Sequence, residues 1–529
     1  MEVESRAERY HFIKQELPSI TPRSLRGRIE GGLMKPLSKF TCLSVSHRVI
    51  PAGIKERSTP TCYEDLDLEK PAVCAIGDVY FPFLFPSSTM LWFISCFWVA
   101  IVAGQQLPDA VLENVKARLG EKYLLSWETG TRIQALLELD SPSYSVFTTY
   151  PQPVSIPFPR YQSPTSGSLS EVMSIVRTVV ANRTMSNFGV NVTSMSYDAG
   201  EITGPQPLMY DLAAADPASI GPGVLLAGHL NLDGNGSVYM QAAKDQLDFL
   251  YTRVPRTYDG AISHRLSELQ LWSDSVSMIP PFLALYGAQT YNATLIRDAY
   301  AQIRLYRSYF VDESEGKTKG LWRHVVLGSG KPEFPENDSG FWSTGNGWAA
   351  HGILRVLATI QHSYYADEFI KEREDMLHWA KEIIGAMYHQ IDDTSIFRNY
   401  ANNASTFYDT GSTALLAAST YRLSLLSNGT ESHWIPYAER SRKALSSTVG
   451  NGNYNLKYFT SDGWVEPVAN PHWYVSQGTQ NPEAQAFVLM MQSAWKEWVA
   501  AGSANFSSRV AVEWRWLVAT VLMGCWIIL

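Results

Sequence analysis

The sequence predicts an all-α chain whose helices pair as hairpins and close on themselves into a ring. Three observations carry this. From about residue 107 apolar residues recur at helical intervals in one segment after another; within 366–390, Phe369, Ile370, Met376, Trp379, Ala380, Ile383, Ile384 and Met387 share a face. Strand signals are confined to Tyr454–Phe459. No motif repeats along the chain, which disfavours a regular solenoid, whereas about twelve helices of ordinary length would fill roughly 400 residues as a ring.

The helical segments follow in order. Val111–Leu119 and Ile133–Leu139 read as an opening pair. A loop with Pro151, Pro153, Pro157, Pro159 and Pro164 comes next, then Leu169–Ala181, where Leu169, Val172, Met173, Ile175, Val176, Val179 and Val180 keep helical spacing. Residues 199–237 are rich in Gly and Pro and read as a long irregular connection. Ala242–Arg253, Asp274–Tyr286, Ala293–Phe310, Gly345–His362, Ala366–Gln390, Ser412–Leu426, Ile435–Ser447 and Pro482–Val499 are the later helices.

Both ends of the 529-residue chain read as processing signals. Residues 91–103 are an unbroken apolar run apart from Ser95, directly after Met90 and before the small residues Ala103 and Gly104. That is the size of a signal-peptide core and short for a bilayer span. Residues 90–104 are therefore expected to be a signal peptide or an uncleaved signal anchor, and 1–89 a disordered or misassigned extension. At the other end Gly502, Ser503 and Ala504 are followed by a mostly polar spacer and an apolar tail, Trp516 to Leu529. This order is that of a glycosylphosphatidylinositol attachment signal, with Gly502 the attachment residue and 503–529 removed. The folded domain is then 105–502. Asn182, Asn191, Asn235, Asn292, Asn337, Asn403, Asn428 and Asn505 each open an N-x-S/T triplet, which agrees with passage through a secretory lumen and a cell-surface or extracellular destination.

Composition narrows the function. The chain is 45% hydrophobic and 18% charged, with a formal charge of −8, which excludes a disordered polymer and argues against a nucleic-acid binder with a broad basic surface. From Met90 on, 31 Lys and Arg face 40 Asp and Glu, so an anionic ligand would need a local cationic pocket. No cysteine lies between Cys96 and Cys525, so the domain uses neither disulfides nor a thiolate metal site. No metal-binding spacing, cofactor motif, phosphate loop or nucleophile elbow is present, and none is expected to be needed. The 16 Trp, 27 Tyr and 21 Phe suit stacking on sugar rings as well as core filling.

Five motifs stand out. In Leu271–Phe282 (LWSDSVSMIPPF) Asp274 stands at the start of a helix, either as a plain N-cap or as a reactive carboxyl, with Trp272 beside it. In Gly340–Ala350 (GFWSTGNGWAA) Trp342 and Trp348 flank a Gly-Asn-Gly turn, suited to close ligand approach or to a tight core loop. His324 follows Gly-Leu-Trp-Arg as a candidate substrate contact. Asp409 is a cap-like entry to a helix, and Asp392-Asp393 an acidic doublet in a turn.

Together these motifs resemble the six-hairpin glycosidases of families 88 and 105, the unsaturated glucuronyl and unsaturated rhamnogalacturonyl hydrolases. The resemblance runs from about Leu107 to Val499 and includes Asp409-Thr-Gly-Ser-Thr and Pro482-Glu-Ala-Gln485. It implies an (α/α)6 barrel with the site at its wider end, and an oligosaccharide substrate bearing the unsaturated uronic acid that polysaccharide lyases leave. It implies that Asp274 protonates C4 of the vinyl ether and then activates water for C5. Trp272, His324, Trp342, Asn346 and Trp348 become the substrate-binding residues, with His264, Arg265, Arg323, Thr344 and Asp409 in supporting or alternative roles. Family members commonly carry Arg where this chain has Thr344, which leaves the sugar open; Arg265 or Arg323 are candidate substitutes. With the sequons and anchor, the resemblance points to a fungal secreted type.

Two other readings compete. One is a conventional inverting glycosidase or transglycosylase on cell-wall polysaccharide, which needs a second carboxylate facing Asp274. The other is an anchored, non-catalytic carbohydrate-binding wall protein. The sequence does not set the oligomeric state.

Overall fold

The computed structural model describes residues 106–121, 125–159, 167–183, 189–190, 197–198, 205–328, 337–449, 455–470 and 473–502. The predicted N-terminal extension, the 90–104 signal, the 503–529 attachment segment, Asn191 and Asn505 lie outside them.

Twelve helices are described: α1 (Asp109–Leu119), α2 (Ser126–Asp140), α3 (Gly167–Arg183), α4 (Gly221–Leu230), α5 (Gly236–Thr252), α6 (Ile279–Thr290), α7 (Ala293–Phe310), α8 (Ser343–Gln361), α9 (Ile370–Tyr388), α10 (Thr410–Leu426), α11 (Ile435–Leu445) and α12 (482–502). They alternate between two layers. Odd-numbered helices are amphipathic; α7 buries Leu295, Ile296, Ala299, Gln302, Ile303, Tyr306 and Phe310 on one stripe and leaves the rest wet. Even-numbered helices are enclosed. Every residue of α10 is buried, and so is every residue of α8 from Ser343 to Ile360. A helix covered on all faces must be the inner member of a layered pair. The inner helices α2, α4, α6, α8 and α10 contact one another in sequence, and α12 completes the circuit through Ser493, whose hydroxyl donates to the Glu138 carbonyl on α2 at 2.6 Å. This is the expected (α/α)6 barrel.

The expected irregular connection at 199–237 contains an inner helix, α4. The segment Gly221-Pro222-Gly223 reads as a breaker, but Pro222 sits in the first turn, where its missing N–H costs nothing. Gly221 is needed because α4 lies flush on α6: a Cβ there would stand 2.1 Å from the Phe282 ring. The strand expected at Tyr454–Phe459 is absent among the described residues, which show only bridges such as Thr448 to Leu456. Short antiparallel pairs occur elsewhere: β1 (Gly189–Val190) with β2 (Tyr197–Asp198), β3 (Leu271–Trp272) with β4 (Val325–Val326), and β5 (Val468–Asn470) with β6 (Trp473–Gly478).

At one end the inner ring is tied by charge. Glu138 of α2 is fully buried and accepts from Arg355 of α8 at 2.5 Å and from Arg422 of α10 at 3.0 Å; Arg422 also reaches Glu497 of α12 at 2.5 Å. The Phe147 ring packs under both guanidinium groups at 4.9 Å. Burial alone would raise the Glu138 carboxyl, but Arg355, His351 and Arg422 hold it down to about 2. Removing one partner strands charge in the core, so Glu138→Gln should lower unfolding free energy by about 3–5 kcal/mol in urea titrations. Because the folded value lies below the ordinary one, this stabilisation is present above about pH 4.5 and fades as pH falls towards 2; two and a half units correspond to about 3 kcal/mol. Glu138→Gln should therefore flatten the acid limb of a stability-versus-pH curve.

Candidate active site

The N-terminal ends of the inner helices meet at the opposite end of the ring and form a cup. Short irregular segments lead into them: a 3-10 turn at Asp216–Ile220 before α4, another at Ser273–Ser277 before α6, and β5–β6 before α12. Asp274 lies in the second of these turns. Its neighbourhood is fixed by close packing on α8, where a Cβ on Gly352 would stand 2.4 Å from the Val276 carbonyl oxygen, and by the Ser277 hydroxyl donating to the Trp348 carbonyl at 2.9 Å.

Asp274 is not an N-cap. The turn has no side-chain cap, and Asp274 Oδ1 is buried with no hydrogen-bond partner. The carboxyl keeps 15% of its side-chain surface, enough to be reached from the cup. Burial pushes its pKa up, against the positive charge of Arg265. An aromatic wall surrounds it. His264 stacks on Trp272 at 4.6 Å, His324 meets Trp272 edge-on at 5.2 Å, and Tyr474 of β6 stands at 4.3 Å from His324 and 5.9 Å from Trp272. Trp342 closes on His324 at 4.4 Å and donates from Nε1 to Asn399. The β3–β4 pair, with Trp272 opposite Val325, sets Trp272 beside His324.

The cup holds more carboxyl groups than the sequence motifs singled out. His264 Nδ1 lies 3.9 Å from Asp216 Oδ1 and 3.9 Å from Asp274 Oδ1, so the two acids are at most twice that distance apart. Burial, Asp211 and Asp274 push Asp216 well above the ordinary range. Asp211 is raised chiefly by burial and accepts from the Ser126 hydroxyl at 2.5 Å. Glu483, at the start of α12, accepts from Trp127 Nε1 at 2.9 Å and is pushed up to about 8 by burial and the nearby Glu128. His264 is buried, donates or accepts at the Ser275 hydroxyl at 2.9 Å, and burial holds it well below its usual value, so it is neutral. Arg265 brings positive charge, its guanidinium 4.8 Å over the Trp272 ring.

A model of Glycosyl Hydrolase Family 88 matches residues 206–491, more than half of the chain. The chain belongs to glycosyl hydrolase family 88. It is a glycoside hydrolase, and the reading as a non-catalytic wall protein gives way. Its fold is similar to a possible member of the GH105 family from Salmonella enterica (14% identity, 73% of this chain and 93% of that one, TM-score 0.52). It is equally similar to one from Klebsiella pneumoniae (15%, 73% and 92%, TM-score 0.51). The unsaturated glucuronyl hydrolase of Bacillus sp. GL1 aligns over 72% of this chain and 94% of its own, at 14% identity and TM-score 0.44. No curated protein matches the chain.

The structure brings Asp274, Trp272, His324, Trp342, His264 and Arg265 of this glycoside hydrolase together, and sets other named residues apart. Asn346, expected to touch substrate, is fully buried and spends its amide on the backbone: Nδ2 donates to the Trp322 and Trp342 carbonyls and Oδ1 accepts from Trp322 N. It pins the Trp342 segment to the Trp322 segment. Trp348, also expected at the substrate, packs edge-on against Phe487 of α12 at 4.7 Å in the core. Thr344 donates to Asp409 at 2.7 Å, and Asp409 caps α10 by accepting from Gly411 and Ser412 N–H. Arg323 faces Asp312 at 3.6 Å and the Val311 carbonyl, so Arg265 is the candidate substitute within the cup. Asp392 accepts from Tyr408 in an exposed turn. Asp211, Asp216 and Tyr474 went unseen because they come from segments with no helical period; Glu483 opens the helix expected at Pro482–Val499 and lies in the Pro482-Glu-Ala-Gln485 motif, but nothing local marks it as a member of the site. Among the described residues no group of three or more His, Cys, Asp or Glu is arranged to hold a metal ion.

Glu483 gives this end a pH signature. Its folded value is raised, so the folded state keeps a proton that the unfolded chain sheds. Stability should then fall as pH climbs from about 4.5 to 8, by up to a few kcal/mol. Glu483→Gln should remove that decline in thermal melts at pH 5 and pH 8.

Proposed function

We propose that this glycoside hydrolase acts on oligosaccharides ending in an unsaturated uronic acid, as released by lyases from pectin or a related polysaccharide. The observation that carries the reading is the buried, partnerless Oδ1 of Asp274 inside a wall of Trp272, Tyr474 and His324. A carboxyl kept in its acid form is what a vinyl ether needs, since the first step is delivery of a proton to carbon. Asp274 gives its proton to C4, and C5 takes the positive charge. Water adds its oxygen to C5 while the Asp274 carboxylate recovers a proton from it. The net addition is one water across the double bond. The C5 hemiketal opens to a ketone, and the hemiacetal exposed at C1 releases the remaining sugar as an alcohol. Trp272 supplies a flat face for the ring. Arg265 supplies charge for the uronate, in place of the Arg that Thr344 lacks.

Asp274→Asn keeps shape and removes the transferable proton. Its kcat should fall about 10²–10⁴-fold, read as loss of unsaturated uronate absorbance on lyase-treated pectin or glycosaminoglycan. Equal rates for the two proteins would remove Asp274 from the reaction. Asp216 favours a second reading, a two-carboxylate glycosidase cleaving saturated substrates. Reaction in D₂O separates them: hydration leaves one deuterium on C4 of the product, and direct displacement leaves none.

We further propose export as a glycoprotein with a lipid anchor. Asn182, Asn235, Asn292, Asn337, Asn403 and Asn428 are all exposed, as a glycan acceptor must be, and Gly502 is exposed at the end of α12. Among the described residues no helix is long and apolar enough to cross a membrane. Protein from a eukaryotic secretory host should lose mass on treatment with a peptide N-glycosidase, by several glycans; no loss would sink the exported reading.

A further inference from the structure

Beside the cup stands an acid-histidine pair that the Asp274 chemistry does not use. His324 is fully buried, with its ring held between Trp272, Trp342 and Tyr474. Its Nδ1 lies 2.9 Å from Asp338 Oδ2. Its other nitrogen, Nε2, is buried and has no hydrogen-bond partner. An imidazole nitrogen left bare inside a protein is costly unless something arrives to satisfy it.

Asp338 is itself fixed from three sides. Oδ2 also accepts from the Tyr400 hydroxyl at 2.6 Å, and Oδ1 accepts from Gly340 N–H at 2.9 Å. Backbone bonds zip the three strands of chain together: His324 N–H to the Gly340 carbonyl, Val325 N–H to the Asp338 carbonyl, and a bridge between Trp342 and Tyr400. Every contact that Asp338 makes is with a donor. Burial would raise its carboxyl, yet the bonds from His324 and Tyr400 leave it below the ordinary range, an acceptor. Facing an acceptor, Nδ1 must carry the hydrogen. In the neutral ring Nε2 is then a bare acceptor.

We propose that Asp338, steadied by Tyr400, is a positioning residue that fixes His324 as the Nδ1–H tautomer, so that Nε2 receives a hydrogen bond from a hydroxyl of the sugar bound against Asp274. A lone pair at this place selects a donor; a substrate carboxylate would be repelled from it and is left to Arg265. His324 thus reads the ring's hydroxyl pattern while Asp274 handles the proton. This assignment rests on the proposed function for the identity of the bound group, but the tautomer belongs to the free protein.

The test uses ring-¹⁵N-histidine-labelled protein at pH 8, where an ordinary imidazole is neutral, with His324→Gln to assign the signal. Wild type should show a protonated Nδ1 and a bare Nε2. Asp338→Asn can offer an amide N–H to Nδ1 and should exchange the two, with kcat/KM lower by about 10²-fold or more, as a wrong tautomer has cost elsewhere. Tyr400→Phe keeps the Asp338–His324 bond; it should keep the wild-type tautomer and lose less than tenfold. A wild-type His324 with Nε2–H, or doubly protonated, overturns the proposal even if a variant fails to fold. So does a tautomer exchange that leaves kcat/KM unchanged. A wild type inactive on every lyase product instead sinks the substrate reading, and the spectra still decide the tautomer.

Discussion

The barrel depends on one buried carboxylate. Six enclosed helices cannot be held in register by apolar contact alone, because hydrophobic burial is non-directional. Glu138 adds direction. It joins α2 to α8 through Arg355 and to α10 through Arg422, and Arg422 carries the link to Glu497 on α12. Moving such ions out of water costs several kcal/mol each, so the cluster is tolerable only when its members are matched. Here each carboxylate oxygen meets a guanidinium, Ser493 takes the adjacent carbonyl, and Phe147 packs beneath. With one end of the ring fixed in this way, the other is free to open as a cup.

At that open end two effects compete for the acids. Helix N-termini favour negative charge, by about 0.3–1 kcal/mol and up to about 2 in partly buried sites. Burial and mutual repulsion oppose it by more. Burial wins for Asp216, Asp274 and Glu483, whose carboxyl groups are all raised. Asp409 differs in kind: it accepts directly from Gly411, Ser412 and Thr344 and serves as a cap. A cup walled by acids is therefore less negative than its composition. On the proposed reading this is how a chain with excess negative charge admits a uronate, with Arg265 over Trp272 as the nearby cation.

The outer layer was legible because a half-wet helix writes its face into the sequence, as in Leu295, Ile303 and Tyr306. An inner helix carries no such stripe. The other inner helices were still read as apolar runs; α4 was lost because Gly221, which close packing requires, and Pro222, which sits in the first turn, look like breakers. The site was legible where it is local: Trp272, Asp274 and His324 sit in short motifs of their own. Asp216, Asp338 and Tyr474 join it only through folding, from loops and an unforeseen strand, and Glu483 joins it from the first turn of an expected helix. Nor can a sequence tell which polar group is spent. Asn346 lies in the most ligand-like stretch of the chain, yet its amide holds the backbone of Trp322 and Trp342.

The raised pKa of Asp274 comes from its burial, and its place in a turn ahead of the helix comes from two prolines. The sequence pattern allowed a helix running from Asp274, with that carboxylate as its cap. Such a cap would accept backbone N–H bonds and be held ionised. Pro280 and Pro281 forbid it: in a helix begun at residue 275 they would fall in the interior, where each lacks the N–H the ladder needs and clashes with the preceding turn. The helix therefore starts at Ile279, where both prolines occupy its first turn at no cost, and Ser273–Ser277 tightens into a 3-10 turn instead. Asp274 is left in that turn, ahead of the helix, with Oδ1 unpartnered. On the proposed reading the same carboxyl, displaced from a cap by two proline rings six and seven residues downstream, is a group that can hold a proton and give it away.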